Sequence, residues 1–196
     1  MPRPMKVSRE QAIEAAMHVF WVKGFDATSV DDLQEAIGIQ RGSFYLQFAD
    51  KRSLFIEVLD HYKKNIVEKR RALVLACPSP KDGIHLYFKL LLDHLLSKKS
   101  NSGCLNTNTS IELGLSDEKI AEKMGLSLNE WKSFWIQILK KSKNKNEVAS
   151  DLDIESTAQL LVALTQGLNV IARVNPDSAF LKGVIKSGLS VLENRP

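Results

Sequence analysis

Cysteine is nearly absent from this chain: Cys77 and Cys104 are the only two in 196 residues. That excludes a disulfide scaffold and makes a reducing compartment the default. No apolar stretch is long enough to span a bilayer. The start, Met1–Val7, is basic and Pro-rich with no apolar run of the signal-peptide kind, and Ser8 opens a helix. A cytoplasmic protein without a membrane partner is therefore expected. Charge of one sign is scarce too. Lys and Arg number 27 against 23 Asp and Glu, a formal net charge of +4. So mild a balance permits nucleic-acid binding but does not suit a protein that coats DNA indiscriminately. Catalytic signatures are missing as well. There is no G-x-S-x-G, no H-E-x-x-H, no Gly-rich phosphate loop and no C-x-x-C. Ser116-Asp-Glu-Lys119 matches S-x-x-K without the companion motifs of that enzyme class. His18, His61, His85 and His94 lack metal-ligand spacing. No enzyme, metal or cofactor is expected.

What is present is helical periodicity. No alternating apolar pattern argues for a sheet, and there are no repeats or low-complexity segments. Ser8-Arg-Glu-Gln11 is a capping box, and the helix it opens offers Ile13, Ala16, Met17 and Phe20 to a core and ends near Gly24. A helix over about 51–75 carries Leu54, Phe55, Val58, Leu59, Tyr62 and Ile66 on one stripe. Cys77-Pro-Ser-Pro80 must end it, because proline lacks an amide donor and clashes with the preceding turn. Further helices are expected over 82–96, 104–113, from 116 into the basic tail Lys140–Lys145, from Asp151 or Asp153 to before Asn175-Pro176, and over 177–194. Gly125 and a second capping box, Ser127-Leu-Asn-Glu130, predict a kink or restart in the long one.

The segment Ser29–Lys51 reads as a helix-turn-helix. Val30, Leu33 and Ile37 share one face of a short helix, and Gly38 supplies the turn. Ile39, Phe44 and Phe48 give the next helix one apolar stripe. Its other face carries Gln40, Arg41, Ser43, Tyr45 and Gln47, side chains able to bond base edges and phosphates in a major groove. Gln40 and Arg41 suit base acceptors; Tyr45, Gln47 and Lys51 suit phosphates. Gly42 would allow close backbone approach, and Thr28 or Ser29 could offer a hydroxyl and amide to a phosphate while capping the helix. Lys51 and Arg52 fall in the first turn of the following helix, where the dipole disfavours cations and an anionic partner would explain them.

Ala15-Ala16, Phe20, Gly24-Phe25, Thr28-Ser29-Val30, Leu33, Gly38-Ile39, Gly42-Ser43-Phe44-Tyr45, Phe48 and Lys51 resemble the DNA-binding domain of the TetR/AcrR bacterial repressors. The resemblance covers about the first third of the chain and extends before and after the motif. One departure is Gln34, at a position where a small residue commonly lets the two helices approach. The resemblance implies an all-α, nine-helix architecture. A three-helix DNA-binding head would span 1–52, with the helix at about 51–75 as connector. An effector-binding and dimerisation domain would span 53–196. It also implies a homodimer on a roughly palindromic double-stranded operator and an unidentified small-molecule effector.

The later helices carry candidates for both roles. Leu161, Leu164 and Leu168, with Leu181, Ile185 and Leu192, are apolar over so much of two helices that they are either buried within one chain or shared between two. The family resemblance favours a dimer interface. Phe88, Leu91 and Leu95 with Trp131, Phe134 and Trp135 make aromatic-rich faces that suit either plain core or an effector pocket. Between them lies a polar run, Asn106–Ser110, followed by Glu112; Asn108 and Glu112 sit one turn apart and could point inward together. Cys104, at a helix start with Lys98 and Lys99 nearby, is either an inert buried thiol or an activated one. Gly103-Cys104-Leu105 with Asn108 and Glu112 resembles a pattern in a subset of the family, some of which sense electrophiles or oxidants. Two rivals to the ligand-relieved repressor follow: a thiol sensor acting through Cys104, and a small-molecule binder or enzyme whose helix-turn-helix is incidental.

Overall fold

The computed structural model describes residues 7–97 and 103–193. Within them every regular element is helical. Ser8 and Gln11 form the expected reciprocal capping box on α1 (Arg9–Lys23), which ends at Gly24. Ser29 and Asp32 form a second box on α2 (Val30–Ile37). Gly38 then takes the left-handed conformation, φ 76° and ψ 34°, which a side chain would disfavour. α3 (Arg41–Gln47) follows after this turn. Asp50 caps α4 (Lys51–Tyr62), which passes through a single π turn (Lys63–Val67) into α5 (Glu68–Leu75). These three segments form one rod, so the described residues make nine helical rods.

Pro80 does more than stop that rod. It is the first residue of α6 (Pro80–Leu96), where its missing N–H costs nothing, and Ser79 caps the helix. α7 (Leu105–Leu113) is short. α8 (Glu118–Asn144) runs without the break predicted at Gly125. A glycine costs a helix only about 1 kcal/mol, and the predicted cap side chains are engaged elsewhere. Ser127 accepts from Asn106, and Glu130 pairs with Lys63. Asp153 caps α9 (Ile154–Val174) and Asp177 caps α10 (Ser178–Leu189), which continues as a 3-10 turn to Leu192.

Two apolar clusters organise these rods. The first joins Phe20, Leu33, Phe44, Phe48 and Phe55 of the N-terminal helices to Tyr62, and reaches Leu105, Leu113, Ile120 and Met124. The second gathers Phe88, Leu91, Trp135, Leu161, Leu168 and Leu181. α7 and the start of α8 therefore belong to the core under the helix-turn-helix.

Candidate nucleic-acid interface and interior cavity

α3 is seven residues long and buries one of them, Phe44. Phe44 packs on Phe48 with ring centroids 5.7 Å apart, which fixes the helix by its apolar side. Gln40, Arg41, Gly42, Ser43 and Tyr45 all face outward. The Arg41 side chain has no hydrogen-bond or ion-pair partner among the described residues, so its five donors remain available. Gln47 is half-buried, and its carbonyl accepts from Arg9 at 2.6 Å. Leu46 is 89% exposed on the same helix. Sequence reading missed it because a leucine in a helix is taken as core. An apolar side chain in that place suits contact with a thymine methyl. Gln34, the departure from the family pattern, curls back and donates to Val30 O at 3.1 Å.

Three of the residues assigned to DNA, and Arg52 beside them, are engaged at home. Thr28 is buried and its hydroxyl donates to the carbonyl of Gly24. Ser29 is exposed but its Oγ caps α2 by accepting from Asp32 N at 3.0 Å. Lys51 Nζ donates to Phe25 O and Thr28 O, both at 2.9 Å, and sits 4.3 Å from the Phe25 ring centroid. Two of its three donors therefore staple α4 to the loop before α2. Arg52 makes a two-pronged pair with Asp117, at 2.7 and 2.8 Å. That hydrogen-bonded guanidinium, with the amide of Ile120, holds the Asp117 carboxyl down to about 2. The cations at the start of α4 thus have internal partners and need no external anion.

A small interior cavity, about 30 Å³, lies where the connector meets the later helices. Tyr62, Val67 and Arg70 wall it on the connector side. Cys104, Asn106 and Ser110 come from the α7 side, Met124 and Trp131 from α8, Thr165, Gln166 and Asn169 from α9. Of the predicted pocket residues only Cys104 and Trp131 reach it. Phe88, Leu91, Leu95, Phe134 and Trp135 are core of the second cluster, because aromatic stacking closes the space between α6 and α8. Asn108 is buried away from this cavity. Glu112 turns the other way altogether. Its carboxylate accepts from the amides of Phe25 at 3.0 Å and Asp26 at 2.8 Å. One face of α7 therefore borders the cavity while its far end holds the loop before the helix-turn-helix.

Cys104 is the N-cap residue of α7, and its Sγ accepts from the Tyr62 hydroxyl at 3.4 Å. Burial pushes the Tyr62 hydroxyl well above its ordinary range, so it stays protonated as the donor. Lys98 and Lys99, considered above as cations near this thiol, lie outside the described residues. Gly103 next to it is pinned: its carbonyl accepts from Trp21 Nε1 at 3.0 Å and contacts His94 Nε2 at 3.1 Å.

In the last two helices Leu161, Leu168, Leu181 and Leu192 are fully buried within the chain and so are not an outward face. Leu164 and Ile185 are half-buried against the same core. Gly188 lets α10 lie directly on Leu164, since a Cβ there would come within 2.5 Å of its Cδ2. The outward apolar side chains are instead Leu160, Val170, Val174 and Phe180. Periodicity placed apolar residues on both sides of these helices and could not say which side faces in.

An exposed polar recognition face on a short helix, held by an apolar stripe behind a glycine turn, defines a helix-turn-helix DNA-binding protein. Residues 12–58 match the family described as bacterial regulatory proteins, tetR family, and residues 81–187 match the tetracyclin repressor-like C-terminal domain. The chain belongs to the TetR family and is a DNA-binding transcriptional regulator. It is 29% identical over 172 residues to the HTH-type transcriptional repressor ComR of Escherichia coli, covering 87% of this chain and 82% of that one. It is 27% identical over 198 residues to the HTH-type transcriptional regulator YezE of Bacillus subtilis, covering 98% of this chain and all of that one. Among solved structures it resembles a cysteine mutant of the TetR family regulator CifR complexed with a 26 bp double-strand operator DNA. There the TM-score is 0.85 at 26% identity, with 97% of this chain and 100% of that chain covered. No helix among the described residues is long and apolar enough to cross a membrane, and no group of His, Cys, Asp or Glu among them could hold a metal ion.

Proposed function

We propose that this chain is a non-catalytic, homodimeric repressor in the bacterial cytoplasm that leaves a roughly palindromic operator when a small molecule enters the interior cavity. Residues 1–52 form the reading head and 53–196 the effector and dimer part, joined by the α4–α5 rod. Gln40, Arg41, Gly42, Ser43, Tyr45 and Leu46 make the reading face. The observation that carries the proposal is the double use of α7, which borders the cavity and grips the head through Glu112. Two recognition helices must sit about 34–36 Å apart to enter successive major grooves. A ligand that parts α7 from the connector would turn each head and spoil that spacing. It need only bind the mismatched state more tightly; an affinity ratio of about 100 is worth roughly 2.7 kcal/mol. Outward Leu160, Val170, Val174 and Phe180 support the dimer half of the reading. Selection of bound duplexes from a random pool tests the whole. An inverted repeat with half-sites one turn apart is expected, and selected sequences without any inverted repeat would reject the reading.

A second reading has its own observation. Cys104 Sγ lies in the cavity wall at the start of α7, where an adduct would press α7 away from Tyr62. On this reading the thiolate adds to an electrophile, and the new carbon–sulfur bond does the work of a reversible ligand. Mass spectrometry of the partly alkylated protein beside a DNA-binding assay separates the two. Modification of Cys104 with DNA still bound, or no modification in the folded state, ends the covalent reading.

A further inference from the structure

We propose that the cavity takes a small, non-cationic molecule that offers hydrogen-bond donors, a diol or primary amide rather than a hydrocarbon, ether or amine. This rests on the effector reading above and gives that effector its chemistry. Asn169 carries the argument. It is 2% exposed, borders the cavity, and donates through Nδ2 to Thr165 O at 2.8 Å. Its Oδ1 is buried with no partner. The Thr165 carbonyl can only accept, so the amide cannot be turned round, and the orphaned atom is an acceptor. Asn106 on α7 also leaves one amide atom unpartnered beside its 3.1 Å bond with Ser127 Oγ, but that partner is a hydroxyl that both donates and accepts, so Asn169 alone fixes the orphan as an acceptor.

Buried acceptors without a donor are rare in folded proteins. Both orphaned atoms belong to residues that line one cavity, so a ligand that parts its walls meets an acceptor there, while the Arg70 guanidinium on the same wall donates; a diol or primary amide answers both. The wall also sets charge. Arg70 is its one ionic side chain and no carboxylate lines it, so a cation would enter without a counter-charge. Trp131 and Tyr87 supply flat apolar surface for a carbon skeleton. Size completes the case. About 30 Å³ has room for one or two waters. A ligand of several heavy atoms fits only when the walls part, so it favours the parted state by giving Asn169 the donor it lacks and Asn106 a second partner.

Three probes of equal heavy-atom count separate the chemistries: terminal butanediol, its ether isomer dimethoxyethane, and the diamine putrescine. Each is titrated into the full chain while the side-chain amide signals of Asn169 and Asn106 are followed by NMR. Butanediol is expected to saturate and to move both signals, at least ~tenfold more tightly than dimethoxyethane, with no saturable response to putrescine. Asn169→Leu should lose the diol by about the same factor while melting and binding operator DNA as the parent does. Asn106→Leu provides the same test should Asn169→Leu fail to fold. Equal binding of diol and ether, diol binding undiminished in both variants, or no saturable binding of the diol would overturn the proposal. Diol binding at Asn169 that leaves operator affinity unchanged would uphold the cavity chemistry and reject the effector reading.

Discussion

Glu112→Ala removes the carboxylate that holds two head amides, Phe25 N at 3.0 Å and Asp26 N at 2.8 Å. Hydrogen bonds to a charged acceptor contribute about 1.5–3 kcal/mol each. The two amides do not lose equally. Asp26 is exposed and regains water, whereas Phe25 is half-buried beside the Phe20 and Phe55 rings. A net loss of about 2 kcal/mol is therefore expected. For a chain of this length that lowers Tm by roughly 4–8 °C. It also speeds hydrogen exchange at Phe25 and Asp26 by roughly 30-fold, since about 1.4 kcal/mol is a factor of ten. Exchange across residues 24–27, read beside a thermal melt, checks both numbers. Gly24 gives an independent check. A Cβ at Gly24 would meet both Glu112 carboxylate oxygens at 2.9 Å, so Gly24→Ala should loosen the same amides. Unchanged exchange at Phe25 and Asp26 in Glu112→Ala would show that α7 does not hold the head, and the proposed coupling route would fall.

Lys51→Ala should lower stability by about 1–2 kcal/mol, because it deletes two carbonyl bonds and a contact over the Phe25 ring. The salt dependence of its DNA binding should stay parallel to the parent's; a flatter slope would mean a phosphate contact after all. Leu160→Glu and Val170→Glu should give folded monomers in light scattering, whereas Leu161→Glu should unfold, because Leu161 is buried within the chain and the other two face out. A dimer persisting at micromolar concentration in the first two would place the interface elsewhere. The Arg52–Asp117 contact should be pH-sensitive. Its Asp117 carboxyl is depressed from 3.8 to about 2 by Arg52, so the contact is fully present above about pH 4 and is lost as pH falls through about 2. Trp21 fluorescence in parent and Arg52→Gln follows this, and an identical acid transition in both would refute it.

The head was legible in the sequence because its signals are local. Ser8 and Ser29 announce helix starts, Gly38 announces the turn, and the Ser8–Gln11 box forms as spaced. The alternation of Phe44 and Phe48 with Arg41, Ser43 and Tyr45 also separates core from outer face within a single short helix. What failed depends on partners distant in sequence. Lys51 and Arg52 read as cations waiting for an anion because Phe25 O, Thr28 O and Asp117 are 23 to 65 positions away. Glu112 read as a pocket residue because its amide partners lie 86 and 87 positions before it. The helix predicted to break at Gly125 runs on, since neighbours outweigh one glycine. Phe88 and Trp135 were read from composition, which cannot tell a stacked core from a cavity wall.

The reading face is tested most directly by a cycle between Arg41 and single bases of the selected operator. Operator affinity is measured for the parent chain and Arg41→Ala, on the selected site and on sites changed one base pair at a time in each half. Arg41 stands exposed on α3 without a partner among the described residues, so it should serve one base. The account predicts a loss of about 1–3 kcal/mol on the selected site that vanishes when one particular base pair, in the same place in both halves, has already been changed. A loss of equal size on every site, or none on any, would contradict the claim that this face of α3 reads the DNA.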